Sequence, residues 1–454
     1  MKKAMIVGGG EIGSFIAERL AAEHIAVTVM DENPDALSAM RTTLDVAAVQ
    51  GNGANLADLV AAGAEDMDLF IAATNWDETN LIICLLAQEL KIPNKIAITR
   101  MISAQASRHD AGFDYARLGI DLIVNINEAL RDEMLDVLES PGVSEIASFA
   151  DGRITLIGHQ VDKKSKFLGH TVQDMTGGSG ESYFYVAAVV RDRALEDVSP
   201  DLLLAEGDYL YLLTTAEFLP ILKTLLQVET LRSRTAVIYG DNRLAQLLAA
   251  ALLNRHFQVT MLAETEEKAA QIRESFKLRR HLLVEAGEGT EVRLLRRVKV
   301  GTTSVFVATT PDDATNLTAC MTAKYLGAGK TIANIRRNDI LPLIQRVGVD
   351  VAVAPRLAAT KVIQKSVHGD TLLDYRAVSQ INLEVVELEA AKGCKMVKQP
   401  LHQIKLPPGV IIGGVVSNGE SSLPTPDMQI QAGDKVIVLT LPEMLMDVES
   451  MFAK

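Results

Sequence analysis

Aromatic residues make up 4% of this 454-residue chain, and there is one tryptophan. The apolar mass is instead alanine, valine, isoleucine and leucine, which suits α/β layers built on parallel strands. Three cysteines, Cys84, Cys320 and Cys394, lie far apart with no C-x-x-C pair. That excludes a disulfide framework and fits reduced, cytosolic thiols. The eight histidines show no metal-ligand spacing, so no zinc site is expected. No apolar run approaches the ~20 residues that span a bilayer. The N-terminus enters a strand directly, without a cleavable signal pattern. Basic residues are in deficit, 45 against 58 acidic, a formal net charge of −13. Such a balance argues against binding nucleic acid or anionic lipid through bulk charge. With 48% hydrophobic and 23% charged residues the chain carries enough apolar mass for buried cores, and disorder is not expected. Its length suggests about three or four domains.

What is present begins at once. Residues 1–33 read as strand, glycine turn, helix, strand. Ala4–Val7 is an apolar run, Gly8, Gly10 and Gly13 fit G-x-G-x-x-G, and Asp31 ends the second strand, Ile25–Met30. Gly8 permits a tight turn, Gly10 admits a pyrophosphate close to backbone, and Gly13 lets helix pack on strand. The helix N-terminus offers N–H groups and a positive dipole end to an anion. The stretch predicts a nucleotide-binding Rossmann unit; the competing reading is a βαβ unit whose glycines serve packing alone.

Strands and helices then alternate. Helices are expected at Pro34–Thr43, Leu56–Ala62, Glu78–Leu90 and Asn127–Glu139, with strands at Val46–Val49, Asp68–Ala73, Lys95–Thr99 and Asp121–Val124. This alternation predicts a doubly wound parallel sheet. The second half repeats it. Thr235–Ala245 matches the opening, Val259–Leu262 matches Val27–Met30, Ala286–Gly289 matches Gln50–Gly53, and Val305–Asn316 matches Leu69–Asn80. The offset is 232 at Gly8 and Gly240 and 236 at Asn80 and Asn316, so about four residues are inserted between. Two smaller segments, Tyr185–Leu212 and Ile411–Val438, repeat at an offset of 226, carrying Pro200 and Gly207 onto Pro426 and Gly433. They alternate apolar residues around turn signals and are expected to be β-rich. Boundaries are expected near Ser140–Gly142, Thr230–Arg234 and His368–Asp370.

The tandem arrangement, the glycine loop with Asp31, the Gly51-Asn52-Gly53 turn and Thr74-x-x-Asp77-x-x-Asn80 resemble the RCK (KTN) family of potassium-transport regulators, in its tandem form with two such domains in one chain. The resemblance covers nearly the whole chain. It implies two Rossmann-like doubly wound sheets (N-lobes, 1–125 and 233–354), each followed by a small α+β C-lobe (141–226 and 371–454). It implies a cytoplasmic regulator, not an enzyme, peripheral on the inner membrane face. That regulator would gate an integral-membrane potassium-translocating subunit of the Trk/Ktr type in response to NAD⁺ or NADH, with ATP and ADP as further ligands. Self-association into a ring, as a dimer or tetramer of tandem chains, is implied too. A different class of reading is an NAD-dependent oxidoreductase, but no His-carboxylate or Lys–Tyr constellation stands out to serve as its acid and base. A third is a scaffold with degenerate sites, against which the intact first motif argues.

Candidate ligand residues follow. Gly8, Gly9, Gly10 and Gly13, with the amides of Glu11 and Ile12, are expected to cradle phosphate, and Asp31 to hold the adenosine ribose. An acid there disfavours a 2′-phosphate, so NAD is favoured over NADP. Thr74 and Asn75 end the fourth strand at the ligand edge; the alternative is that Asn75 or Asp77 caps the next helix. Asn52 is an adenine-side contact or a turn residue. Arg100 lies where the family pattern sets a basic residue near the nucleotide, or forms a surface salt bridge. Trp76, beside this edge, is a ligand or partner contact or a packing residue. Cys84 and Cys320, repeat-equivalent, point to core packing. His170 and Lys163–Lys166 are expected on a solvated turn. In the second half the loop reads Gly240-Asp241-Asn242-Arg243-Leu244-Ala245, and Ala263 stands for Asp31. A side chain at Asn242 crowds a pyrophosphate, so the second site is expected to be weakened, altered or lost, although Arg243 offers a phosphate partner.

Overall fold

The structure, a computed structural model, describes residues 2–102, 115–138, 145–176, 182–192, 194–226, 233–277, 279–337, 340–367, 372–378 and 383–453. Of the expected boundaries, Ser140–Gly142, Thr230–Arg232 and His368–Asp370 lie outside the described residues. Met1–Asp132 with Ala354–Gly369 form one compact unit; Glu133–Val353 with Asp370–Lys454 form another.

The first unit is built on six parallel strands: β1 (Lys3–Val7), β2 (Ala26–Asp31), β3 (Ala47–Gln50), β4 (Leu69–Ala72), β5 (Asn94–Thr99) and β6 (Leu122–Asn125). Their order is β3-β2-β1-β4-β5-β6. The chain reverses its direction of travel across the sheet between β1 and β4, the switch point where open α/β sheets bind ligands. Ala4–Val7 and all of β4 are buried, as expected of strands covered on both faces. Helices α1 (Glu11–Ala22), α2 (Pro34–Thr43), α3 (Leu56–Ala61) and α4 (Asp77–Glu89) connect the strands, and α5 (Ile126–Leu138) follows β6. α1 stops at His24, which takes a left-handed φ of 61°. The Ile25 amide then donates to Leu20 O at 3.0 Å, closing the last turn.

The second unit holds two antiparallel sheets and a second parallel one. The first small sheet comprises β7 (Glu145–Phe149), β8 (Ile154–Gln160), β9 (Tyr185–Arg191), β10 (Ala194–Glu196) and β11 (Tyr209–Thr215), with short helices α6 (Val172–Thr176) and α7 (Leu219–Leu225). The second parallel sheet comprises β12 (Thr235–Tyr239), β13 (Gln258–Ala263), β14 (Leu282–Ala286), β15 (Val305–Ala308), β16 (Lys330–Asn334) and β17 (Val351–Val353). Its order, β14-β13-β12-β15-β16-β17, is that of the first. Helices α8 (Arg243–Asn254), α9 (Glu266–Ser275), α10 (Val292–Arg297) and α11 (Asp313–Tyr325) flank it, and α12 (Pro355–Val367) follows. The last sheet comprises β18 (Leu372–Ala377), β19 (Glu384–Glu389), β20 (Ile411–Ser417), β21 (Glu420–Ser422) and β22 (Lys435–Thr440), before the terminal α13 (Leu445–Phe452).

The repeat extends to backbone detail. His256, 232 residues after His24, ends α8 with φ 62°. Gly207 and Gly433 take φ of 95° and 90° in the same turn of the two small sheets. Those sheets share one apolar core, in which Phe149, Leu156 and Tyr211 meet Leu383, Val385 and Ile437. The Ala150 amide donates to Glu387 Oε2 at 2.6 Å across it. The helices after each parallel sheet were not legible as connectors. α12, from the second half, belongs to the first unit and lies against α1 and β6. The end of α5, from the first half, belongs to the second unit, where buried Lys330 donates Nζ to Val137 O at 2.7 Å.

Candidate functional site

The loop after β1 shows three glycines retained for three reasons. Gly8 takes φ +111°, and a Cβ there would lie 2.6 Å from Ala73 O. A Cβ on Gly13 would collide with Gly8 O. Gly10 differs: a Cβ would meet nothing within 4 Å. Its lack of a side chain therefore serves no packing and leaves the space over the helix end open. Gly10 is the N-cap of α1 but supplies no side-chain cap, so the first amides of the helix face that space. Glu11 and Ile12 occupy the first turn as expected.

Asp31 closes the loop from β2. Its Oδ2 accepts from the Gly9 amide at 2.6 Å and its Oδ1 from the Asn33 amide at 2.7 Å. A carboxylate has about four acceptor sites, so these two bonds leave about two open. Asn52 sits beyond β3 and turns inward: its Oδ1 accepts from the Ala54 amide at 2.7 Å, a local turn bond. Its backbone N–H is held by Asp58 Oδ2 at 2.8 Å.

At the end of β4 the geometry overturns the capping alternative. Trp76, not Asn75 or Asp77, is the N-cap of α4, and no side chain caps it. Asp77 is buried and faces the next strand end, where its carboxylate accepts from the amides of Arg100 at 2.9 Å, Met101 at 2.8 Å and Ile102 at 3.2 Å. Asn80, also buried, accepts from Thr74 N and Oγ1 at 2.9 and 2.6 Å. It donates to Thr74 O and Ile98 O at 3.1 and 2.8 Å. These two side chains staple β4 to β5 and so fix Thr74 and the Arg100 turn. Arg100 reaches back, donating Nη1 to Asn75 O and Nη2 to Asn75 Oδ1, both at 3.3 Å. Asn127 Nδ2 donates to Arg100 O at 2.8 Å. Thr74, Asn75 and Arg100 thus share one edge, with Trp76 70% exposed beside them. The positioning roles of Asp77 and Asn127 were missed; an acid in the first turn of a helix reads as dipole complement, and its real partners lie 23 to 25 residues away.

The second loop keeps the frame and loses the opening. Gly240 retains a positive φ of 139°. Asn316 repeats the staple on Thr310 and Asn334, with bonds of 2.7–2.8 Å. Asp313 accepts from the amides of Arg336 and Arg337 as Asp77 does from Arg100 and Met101. Asn242, however, caps α8: its Oδ1 accepts from Ala245 N at 3.0 Å and its Nδ2 donates to Thr309 O. Asp241, in the place of Gly9, accepts from the Glu264 amide at 3.1 Å and from Lys268 Nζ at 3.2 Å. The polarity of the loop-to-β2 bond is therefore reversed. In the first lobe the loop donates to an acid; in the second the loop itself carries the acid. Tyr239, in the place of Val7, lies against Gly289 within the field of Glu288, Glu264 and Asp241, and burial raises its pKa. An anion approaching here meets an already capped helix and two carboxylates, Asp241 and Glu264, both paired with Lys268.

Elsewhere, Cys84 and Cys320 are fully buried, and burial holds the Cys84 thiol at about 12, so both are packing residues. His170 and Lys163, Lys164 and Lys166 are exposed. Among the described residues no group of three His, Cys, Asp or Glu side chains is arranged to hold a metal, and no helix is long and apolar enough to cross a membrane.

Comparison with known proteins gives this architecture its relatives. The Trk system potassium uptake protein TrkA homolog 1 of Methanosarcina mazei is 28% identical over 456 residues, covering 99% of this chain and 100% of that protein. TrkA of Halomonas elongata is 28% identical, covering 99% and 98%. Among solved structures the GsuK RCK domain superposes with a TM-score of 0.58 at 17% identity, covering 99% of this chain and 95% of that one. The GsuK channel bound to NAD gives 0.57 at 18%, covering 99% and 79%. Both structures share the fold. The TrkA-C domain model matches residues 385–453. The TrkA-N domain model matches 4–126 and 236–355, together more than half of the residues, and the chain belongs to that family.

Proposed function

We propose that this chain is a nucleotide-sensing regulatory subunit that gates an integral-membrane potassium transporter of the Trk/Ktr type, with NAD⁺ or NADH as ligand and ATP and ADP as further ligands. The observation that carries the reading is the open, uncapped N-terminus of α1 at Gly10, with the Asp31 carboxylate held beside the loop by the Gly9 amide. Gly8 to Gly13 seat phosphate, Asp31 takes the ribose, and Thr74, Asn75 and Arg100 line the distal edge; Asn52 backs the adenine side through its turn. The relatives named as potassium uptake proteins over their full length support the transport role, and a channel of the same fold that binds NAD supports the ligand. The working units are two N-lobes, 1–125 and 233–354, and two C-lobes, 141–226 and 371–454, assembled with further copies into a ring on the cytoplasmic side.

The role is sensing, not turnover. A ligand shifts a gate only by its difference in affinity for the gate's two states. With a net charge of −13, the chain is held at the membrane by its protein partner and not by anionic lipid. Calorimetric titration of the full chain with NADH and ADP tests the ligand assignment; no heat and no thermal shift with either would overturn it. Co-purification from membranes with and without NADH tests the partner, the expected catch being a multispanning potassium transporter.

A further inference from the structure

The helix α12 comes from the second half of the chain yet lies along α1 of the first parallel sheet, and three contacts fix how. Arg356, in its first turn, stands over the Phe15 ring at 4.6 Å. Eight residues further along each helix, Gln364 Nε2 donates to Glu23 Oε1 at 2.5 Å. At its end, Val367 O accepts from Lys2 Nζ at 3.1 Å, where β1 begins. The two helices therefore run parallel and in step, and both N-termini point to the sheet edge that carries the glycine loop. Parallel helices put like dipole ends together, each about half a positive charge.

Arg356 adds a full charge at that end. Arg356 is 8% exposed, and among the described residues its Nε has no hydrogen-bond partner. Arg19 lies over the same ring at 5.2 Å. The carboxylates that face Arg356, Glu18 and Glu11, act on it through space, and Glu11 is the first residue of α1, directly after Gly10. Burial lowers the guanidinium pKa to about 10, the expected direction for a charge short of hydration. Such a group is costly to bury unless an anion completes it.

We propose that Arg356 is an anion-recognition residue of the first nucleotide site, contributed by the second half of the chain and directed at the diphosphate of a bound nucleotide. This rests on the nucleotide reading above. Phosphate seated on α1 then tightens α12 against it, and α12 is the segment from which the chain continues into its last β lobe. The register pairs Ile96 with Leu122 and Ile332 with Val351, so the repeat counterpart of Arg356 is Asn127, which is neutral.

The test is titration of the full wild-type chain, Arg356→Gln and Arg356→Lys with ADP, NADH and adenosine at fixed salt. Arg356→Gln is expected to weaken ADP and NADH about tenfold or more, the scale of a charge-assisted contact, with adenosine within about twofold and Lys restoring part of the loss. Unchanged ADP affinity overturns the proposal, as does an equal loss for adenosine, which marks a structural role. A wild-type chain that binds neither ADP nor NADH fails the nucleotide reading itself, a separate result. If Arg356→Gln does not fold, amide exchange on wild type decides: ADP, but not adenosine, must slow Leu357–Thr360, and no difference overturns the proposal.

Discussion

The two glycine loops share a scaffold and oppose each other in chemistry. Both follow the first strand of a sheet of identical order, both begin with a positive-φ glycine, and both stand beside an Asn staple joining two strand ends. At Gly10 the helix end is left bare; at Asn242 it is capped from within. Duplication thus preserved what builds the sheet and released what binds. Side chains that make the same bonds in both halves, as Asn80 and Asn316 do, belong to the frame, and the halves part where Gly10 and Asp31 are replaced by Asn242 and Ala263. Asp77 and Asp313 hold the next strand end in the same way.

The sharpest way to break the comparison is to install the second loop's cap in the first. Gly10→Asn is expected to satisfy the α1 N-terminus internally and to fill the space above it. NADH and ADP affinity should fall about a hundredfold or more, since both the anion seat and its access are lost, while an Asn cap in place of Gly favours the helix by only about a few tenths of a kcal/mol. Titration together with thermal melting reads the two effects apart. Retained affinity would show that the open N-terminus is not the seat.

The staple should behave oppositely, hurting both halves alike. Asn80→Ala and Asn316→Ala each leave strand-end groups without their side-chain partner. Each unmade buried bond costs about 1–3 kcal/mol, so each variant should lose about 2–3 kcal/mol of stability in denaturant unfolding. A large difference between the two would mean that the frames have diverged as well as the sites.

Asp31→Ala comes next. It removes two ribose acceptors, and a hydrogen bond to a charged group is worth about 1.5–3 kcal/mol. NADH is expected to bind about ten- to thirtyfold more weakly, less than the raw sum because the Gly9 and Asn33 amides are freed to meet water or ligand. Adding a carboxylate at the matching site, Ala263→Asp, should confer no NADH binding, because Asp241 and the Asn242 cap remain. Binding gained by Ala263→Asp alone would show that the second site is only missing its ribose acid.

Much of this was legible beforehand because it is local. The strand–loop–helix order follows from residues within about thirty positions of each other, and the repeat, which sets Asn242 and Ala263 against Gly10 and Asp31, from laying two such local patterns side by side. The rest depends on long-range placement. Asp77 reads as a helix-start acid, yet its partners are amides beyond β5. That Asp241 takes over the bonding role of Asp31 with reversed polarity needs the loop and β13 side by side. Most of all, nothing in the periodicity of Pro355–Val367 says which sheet it covers. An apolar face specifies burial and not a partner, so both the exchange of α12 and the place of Arg356 emerge only in the folded chain.

The smallest effect separates capping from binding in the second loop. Asn242→Ala removes an acceptor for the Ala245 amide and the tie to Thr309 O. Loss of an N-cap costs about 0.5–2 kcal/mol, so a drop of about 1 kcal/mol in the stability of the second unit is expected. Nucleotide affinity should stay at the wild-type value, one site per chain, because Asp241 still stands in the loop and Ala263 supplies no carboxylate. Calorimetric stoichiometry decides the matter. One site per chain keeps the two loops as sensor and scaffold; a second site appearing on removal of a single amide would mean that the cap was the only barrier, and that the second lobe is a sensor held shut by its own side chain.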